Sequence, residues 1–386
     1  MIDFFKKNHV LFLFTIIPLG YLVSYILGKL GASSISSYFF LVSILYILYT
    51  NTSKWSLYLF FFLFAYLAFN LVFFNEKLTS SAREITPFIL YLATLYCSKD
   101  LIRNLSKVSQ NDLFIFFKYF TVLFVGCFIV TAAIEGKAVY SSFEGTDRFY
   151  YNGFVISHQF SYFTILLAFI FLKFKKYLWV ILLITMSLIV GNRISYLALA
   201  ASFIIYLEGN NNIVIRASIK RASLFVFFLL LSMIFYYTFL EPIFNWNNVS
   251  NVLMDQDYRN FTSGRSLFWY NGLSEINKNP VLSFKFILGQ GPDSVEILAN
   301  KLYGQYYWMH NDFMQVYFCY GLVGMALYLH ALYFFSKVSK SRSIFWFILI
   351  TAMLNGFYTY GALQLIIMLI IIYKLNVKYI PIKNKI

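Results

Sequence analysis

The chain has 386 residues, of which 60% are hydrophobic and only 12% charged, with a mean hydropathy of +0.69 and a formal net charge of +15. That composition excludes an ordinary soluble domain. The expected architecture is an all-α polytopic membrane protein, one transmembrane domain over residues 1–386 with no soluble module appended.

Apolar runs long enough for a hydrocarbon core of about 30 Å recur throughout. About twelve spans are predicted, beginning near residues 10, 35, 55, 84, 113, 154, 177, 194, 222, 312, 343 and 361. With the N-terminus inside and sides alternating, the inside segments hold about two thirds of the Lys and Arg. They hold only four acids, Asp3, Asp100, Asp112 and Glu208. The basic excess therefore follows the positive-inside rule and leaves no patch for nucleic acid. Both termini are expected in the cytoplasm. The first run follows Lys6-Lys7 and lacks a small-residue cleavage site, so it is read as a retained span and not a signal peptide.

Along the chain, the first polar interruption of note is an external segment at residues 135–152, rich in acids, Tyr and turn formers. It offers hydroxyl-recognising groups, Arg148 among them, or is a plain solvated loop. Next, His158 and Gln159 lie about one turn into a span, as a cavity-facing polar pair or a buried hydrogen-bonded one. Arg193 follows Gly191-Asn192 at the apex between two arms of about fourteen apolar residues. Each arm reaches roughly 21 Å at 1.5 Å per residue, short of the hydrocarbon thickness. Arg193 is thus expected below the outer surface, where an unpaired cation costs at least about 2.5 kcal/mol. It either awaits an anionic substrate, snorkels to headgroups, or pairs with an acid such as Glu84.

Residues 242–311 form a long external loop, too apolar and aromatic for a disordered one. Two amphipathic helices are predicted in it. One runs through "GRSLFWYNGLSEI" after Ser263, with Leu267, Phe268, Leu273 and Ile276 sharing much of a face. The other follows the "GQGP" turn at Gly289–Pro292, opening on a capping box of Asp293 with Glu296 and ending at Gly304. Arg265 at the start of the first helix suits a phosphate, because the helix N-terminus already favours an anion and the guanidinium matches phosphate oxygens bidentately. A lone Arg at a membrane surface is the bland alternative.

The loop closes on His310, Asn311 and Asp312 at the mouth of the next span. His310 is either an ordinary interfacial imidazole or a proton acceptor. Asp312 would orient it or pair with an arginine, since a carboxylate entering a membrane helix needs a strong reason. Gly321 and Gly324 permit close helix packing. No metal site is expected: Cys97, Cys127 and Cys319 sit in apolar surroundings without short spacings, and the four histidines do not form a set. The 46 Phe and 32 Tyr could stack on sugar faces, but interfacial belts and a compositional bias toward Phe, Ile, Asn, Lys and Tyr are the stronger reading.

Taken in order, "GNR" at a span apex, "TSGRSLFW", "NP" at 279–280, "GQGP", "HND" and "YGLVG" resemble the signature of the O-antigen polymerase and ligase superfamily (Wzy and WaaL types) over residues 177–325. The resemblance implies a metal-independent, cofactor-free, GT-C-type glycosyltransferase of the bacterial inner membrane, working at the periplasmic face. Undecaprenyl-pyrophosphate-linked glycan would be donor and acceptor, membrane lipids would surround it, and a chain-length-regulating copolymerase would be a partner. By motif, Arg193, Arg265 and His310 take the catalytic positions, with Asn311, Asp312, His158, Gln159 and Arg148 as substrate-binding candidates. Direct attack on the anomeric carbon implies inversion. Repeat-unit polymerisation is the preferred reading. The alternatives are a ligase acting on lipid A core or another acceptor, and a flippase for lipid-linked saccharide.

Overall fold

The computed structural model describes residues 9–31, 35–50, 65, 78–141, 147–190, 194–209, 251, 254–255, 265–280, 283–304, 309–339, 341–354 and 356–376. The helices are α1 His9–Lys29, α2 Ser36–Thr50, α3 Leu78–Tyr96, α4 Ser98–Leu105, α5 Gln110–Glu135, α6 Ser157–Lys173, α7 Tyr177–Ile189 and α8 Ile194–Gly209. They continue with α9 Arg265–Asn277, α10 Phe284–Leu288, α11 Ser294–Tyr303, α12 Asp312–Ser339, α13 Arg342–Leu354 and α14 Ala362–Asn376. A 3₁₀ turn, Tyr358–Tyr360, joins the last two.

Among the described residues three helices, α1, α5 and α12, are long and apolar enough to cross a membrane. The pair α3 and α4, bent by 65° at Cys97, makes a fourth if counted as one span. α2, α7, α13 and α14 are shorter apolar helices. Large apolar side chains stand exposed along α2 (Tyr38, Leu41, Val42, Leu45), α5 (Tyr119, Val122, Leu123, Val130) and α7 (Leu178, Ile181, Ile189). Surfaces of that kind on several helices at once suit lipid and not water. The fold is that of a helical membrane protein. The spans expected near residues 55 and 222 lie outside the described residues, as do both chain ends.

The β structure among the described residues is a two-stranded antiparallel ribbon, β1 Lys137–Ser141 and β2 Asp147–Tyr151, with Tyr140 opposite Arg148. It occupies the segment read from sequence as an acidic, turn-rich loop. The chain then enters α6 through a tight passage against α5. Phe154 N–H donates to Thr131 Oγ1 at 2.9 Å, Ser157 N–H donates to Asn152 Oδ1 at 3.0 Å, and a side chain at Gly153 would collide with Thr131.

The core is built on α14 and α6. From Ala362 to Ile372 every residue of α14 is buried, and from Gln159 to Phe171 every residue of α6. Helices apolar all round belong at the centre. α14 packs on α3, α6 and α8, while α6 also packs on α7. α3 meets α12 through two parallel aromatic stacks, Phe88 on Tyr320 at 4.5 Å and Tyr91 on Tyr328 at 4.6 Å.

The described parts of the long loop pack on α12, which touches α9, α10 and α11. Phe268, Leu273 and Ile276 are buried as a face of α9, so the apolar stripe read for membrane contact serves at least in part for protein contact. α11 runs where the sequence placed it and ends at Gly304 with a left-handed φ of 68°. Its start differs. Asp293 occupies the N-cap position with φ −85° and ψ −3°, already near helical, and its side chain makes no capping bond. Effective N-caps hold an extended backbone, which is what swings the side chain back over the first turn.

α12 is broken at Gly321, whose φ of 59° and ψ of −154° are non-helical. A break frees carbonyls from their partners one turn on, and the GQGP turn supplies replacements. Gln290 N–H donates to Phe318 O at 2.8 Å and Gly291 N–H to Cys319 O at 3.1 Å. The backbones approach so closely that a Cβ at Gly289 would overlap Cys319 and one at Gly321 would overlap Ile287. Two of the sequence motifs are thus one structural joint. Gly321→Ala, which meets both a left-handed φ and this overlap, is expected to cost more than about 1 kcal/mol. A lower melting temperature of the detergent-solubilised protein, beside an unchanged Gly126→Ala control facing open space, checks it.

Candidate functional site

Residues 309–312 lead into α12, and each is held by hydrogen bonds. Met309 N–H donates to Gln315 Oε1 at 3.3 Å, and Gln315 Nε2 donates to Glu84 Oε2 of α3 at 2.8 Å. On the other side of the same residue, Met309 O accepts from Trp269 Nε1 of α9 at 2.7 Å. Glu84 and Gln315 are buried, where such polar groups require partners. His310 has φ 55°, a left-handed conformation that a non-glycine residue adopts at a cost and that clusters at functional sites. The bonds to Met309 keep it there.

His310 Nδ1 lies 2.7 Å from Tyr360 Oη, at the end of the 3₁₀ turn. His158, at the start of α6, lies on the same ring: it stacks on Tyr360 at 5.8 Å and 13°, and its centroid is 6.0 Å from that of His310. His158 and His310, far apart in sequence, therefore meet around Tyr360. Gln159 does not join them. One residue turns about 100° around a helix, and Gln159 is buried, donating from Nε2 to Tyr21 Oη of α1 at 3.0 Å.

The next two residues have structural duties that the sequence reading did not anticipate. Asn311 Oδ1 accepts from Met314 N–H at 3.1 Å, the N-cap bond that opens α12. Asp312, expected to hold or tune His310, points elsewhere and is buried. Its Oδ2 accepts from Tyr328 Oη at 2.9 Å, Phe357 N–H at 2.7 Å and Tyr358 N–H at 3.0 Å. Gly356, with φ 83°, brings the turn close enough that a Cβ there would press on Asp312 Oδ1 at 3.0 Å. Asp312 thus clamps the turn that delivers Tyr360 to His310.

Arg265 is the first residue of α9, one helical turn before Trp269, so this helix N-terminus is tied to the backbone beside His310. The Arg265 side chain lies outside the described set, as does that of Arg148, whose backbone pairs in β2. Arg193 lies outside the described residues, immediately before α8 in sequence.

Sequence reasoning missed Tyr360, Gln315, Trp269 and Tyr328. Gln315 carried a signal, a polar side chain one turn into an apolar helix. Tyr360 carried a weaker one, its place in "NGFYTYGA", where glycines mark a turn between spans.

These features define a helical membrane protein with a polar, histidine-bearing centre between α3, α6, α9, α12 and the 3₁₀ turn. Comparison with protein-family models, with curated proteins and with solved structures finds no match.

Removing the clamp leaves three buried donors unsatisfied, at roughly 1–3 kcal/mol each. Asp312→Ala is accordingly expected to destabilise by several kcal/mol, while Asp312→Asn, which keeps one acceptor oxygen, loses less. Thermal unfolding of both variants in one detergent tests the order; equal melting temperatures would remove the clamp.

Proposed function

We propose that the chain is a membrane-embedded glycosyltransferase that polymerises undecaprenyl-pyrophosphate-linked oligosaccharide repeat units into O-antigen or a related surface polysaccharide. The observation that carries the reading is His310, held in a left-handed backbone conformation by bonds on both sides of Met309 and engaged at Nδ1 by Tyr360. A residue kept at such a cost is a candidate for chemistry. Further support is the ordered motif resemblance over residues 177–325 and the tie between α9, which begins at Arg265, and the His310 backbone.

In this reading the acceptor sugar hydroxyl attacks the anomeric carbon of the donor. Its proton passes to His310 Nε2 as the new C–O bond forms, and the bond to the pyrophosphate breaks with its electron pair. The negative charge gathering on the leaving pyrophosphate is met by Arg193 and Arg265. One displacement inverts the anomeric centre. The polyprenyl chain remains in lipid; the inner membrane and a periplasmic site are what the resemblance implies, and the positive-inside charge distribution supports an external position for the loop that carries His310.

Purified protein supplied with lipid-linked repeat units in detergent is expected to yield a ladder on a gel without any added core acceptor. Product that requires a core acceptor would make it a ligase, and relocation of lipid-linked saccharide in vesicles without new bonds would make it a flippase. Arg193→Ala and Arg265→Ala should each lower turnover by about 100-fold, and His310→Ala by about 100-fold or more. Ladders at the wild-type rate from all three well-folded variants would overturn the proposal.

A further inference from the structure

Tyr360 has no motif of its own, yet the structure spends considerable means on placing it. It is buried. Its turn is pinned through Phe357 and Tyr358 to Asp312, only two residues beyond His310. One face of its ring is stacked by His158, and its hydroxyl meets His310 Nδ1 at 2.7 Å. The same short stretch of chain therefore carries the imidazole and anchors the group that contacts it.

A neutral imidazole has two tautomers, and a phenol can donate to the lone-pair nitrogen of one or accept from the N–H of the other, so its role at Nδ1 decides whether Nε2 is left as the base. We propose that Tyr360 is a positioning residue that accepts a hydrogen bond from Nδ1–H of His310, fixing the tautomer in which Nε2 receives the acceptor-sugar proton. This rests on the reading of His310 as the base. The proton leaves the sugar hydroxyl as its oxygen bonds to carbon, and a new N–H bond forms at Nε2. The ring becomes an imidazolium, whose Nδ1–H then makes a charge-assisted hydrogen bond to the phenol oxygen. Orientation by a neutral phenol replaces the carboxylate that often serves a catalytic histidine. Asp312 acts one step further back, by holding the turn.

The test is Tyr360→Phe, which deletes the oxygen and keeps a ring for His158 to stack on. The expected result is a fall in kcat of about 10- to 100-fold with KM for the lipid-linked repeat changed by no more than about 2-fold. A second readout needs no activity. In protein labelled with ¹⁵N-histidine in nanodiscs, the His310 resonances, identified by difference against His310→Gln, should show Nδ1 protonated in the wild type and a mixture of tautomers in Tyr360→Phe. Unchanged resonances and unchanged kcat would overturn the inference while leaving the glycosyl-transfer reading intact. A changed tautomer in a protein that makes no ladder would keep the inference about His310 and sink the reading it rests on. Where Tyr360→Phe fails to fold, 3-fluorotyrosine at position 360 keeps the ring's shape and alters the phenol. An unmoved His310 Nδ1 resonance there would overturn the inference.

Discussion

A buried carboxylate is the constraint around which this end of the molecule is organised. Asp312 stands at the first turn of α12, out of water, and takes two backbone N–H groups and one tyrosine hydroxyl on a single oxygen. A charge-bearing group in that position is costly unless its donors are supplied. Supplying them requires the chain between α13 and α14 to fold back against α12, and this return brings Tyr360 to His310. The stacks of α3 on α12 and the packing of Tyr358 against Phe88 and Tyr91 brace the same turn from the other side.

A second polar thread runs at right angles in logic to the first. Glu84 holds Gln315, Gln315 holds the Met309 amide, and Trp269 holds the Met309 carbonyl. Three elements, α3, α9 and α12, thereby fix one peptide before the histidine. Left-handed backbone at His310 is tolerable because both neighbouring polar groups are already committed. The joint at Gly289 and Gly321 serves the same helix lower down, where the loop's turn donates to the carbonyls exposed by the break. Glycine is needed there for backbone approach as much as for φ.

In the proposed reaction these arrangements have one purpose, which is to deliver a single imidazole nitrogen at a defined place with its tautomer decided in advance. Pre-set hydrogen bonds of this kind lower a barrier without reorganisation during the reaction. The binding of pyrophosphate falls to Arg193 and Arg265 in that scheme, and the binding of lipid to the apolar flanks of the helices.

Sequence alone determined the membrane environment, most helix positions and the short polar stretch worth inspecting. Hydropathy and helix-end signals are local, so the start of α12 at Asp312 and the end of α11 at Gly304 were legible from neighbouring residues. Only the tertiary structure decided who meets whom. That His158 faces Tyr360 while Gln159 faces Tyr21, and that Asp312 serves a turn 45 residues away instead of its neighbour His310, depends on helix rotation and on the path of a distant turn. A buried polar group announces in sequence that it needs a partner; which partner it finds is settled by packing between segments remote along the chain.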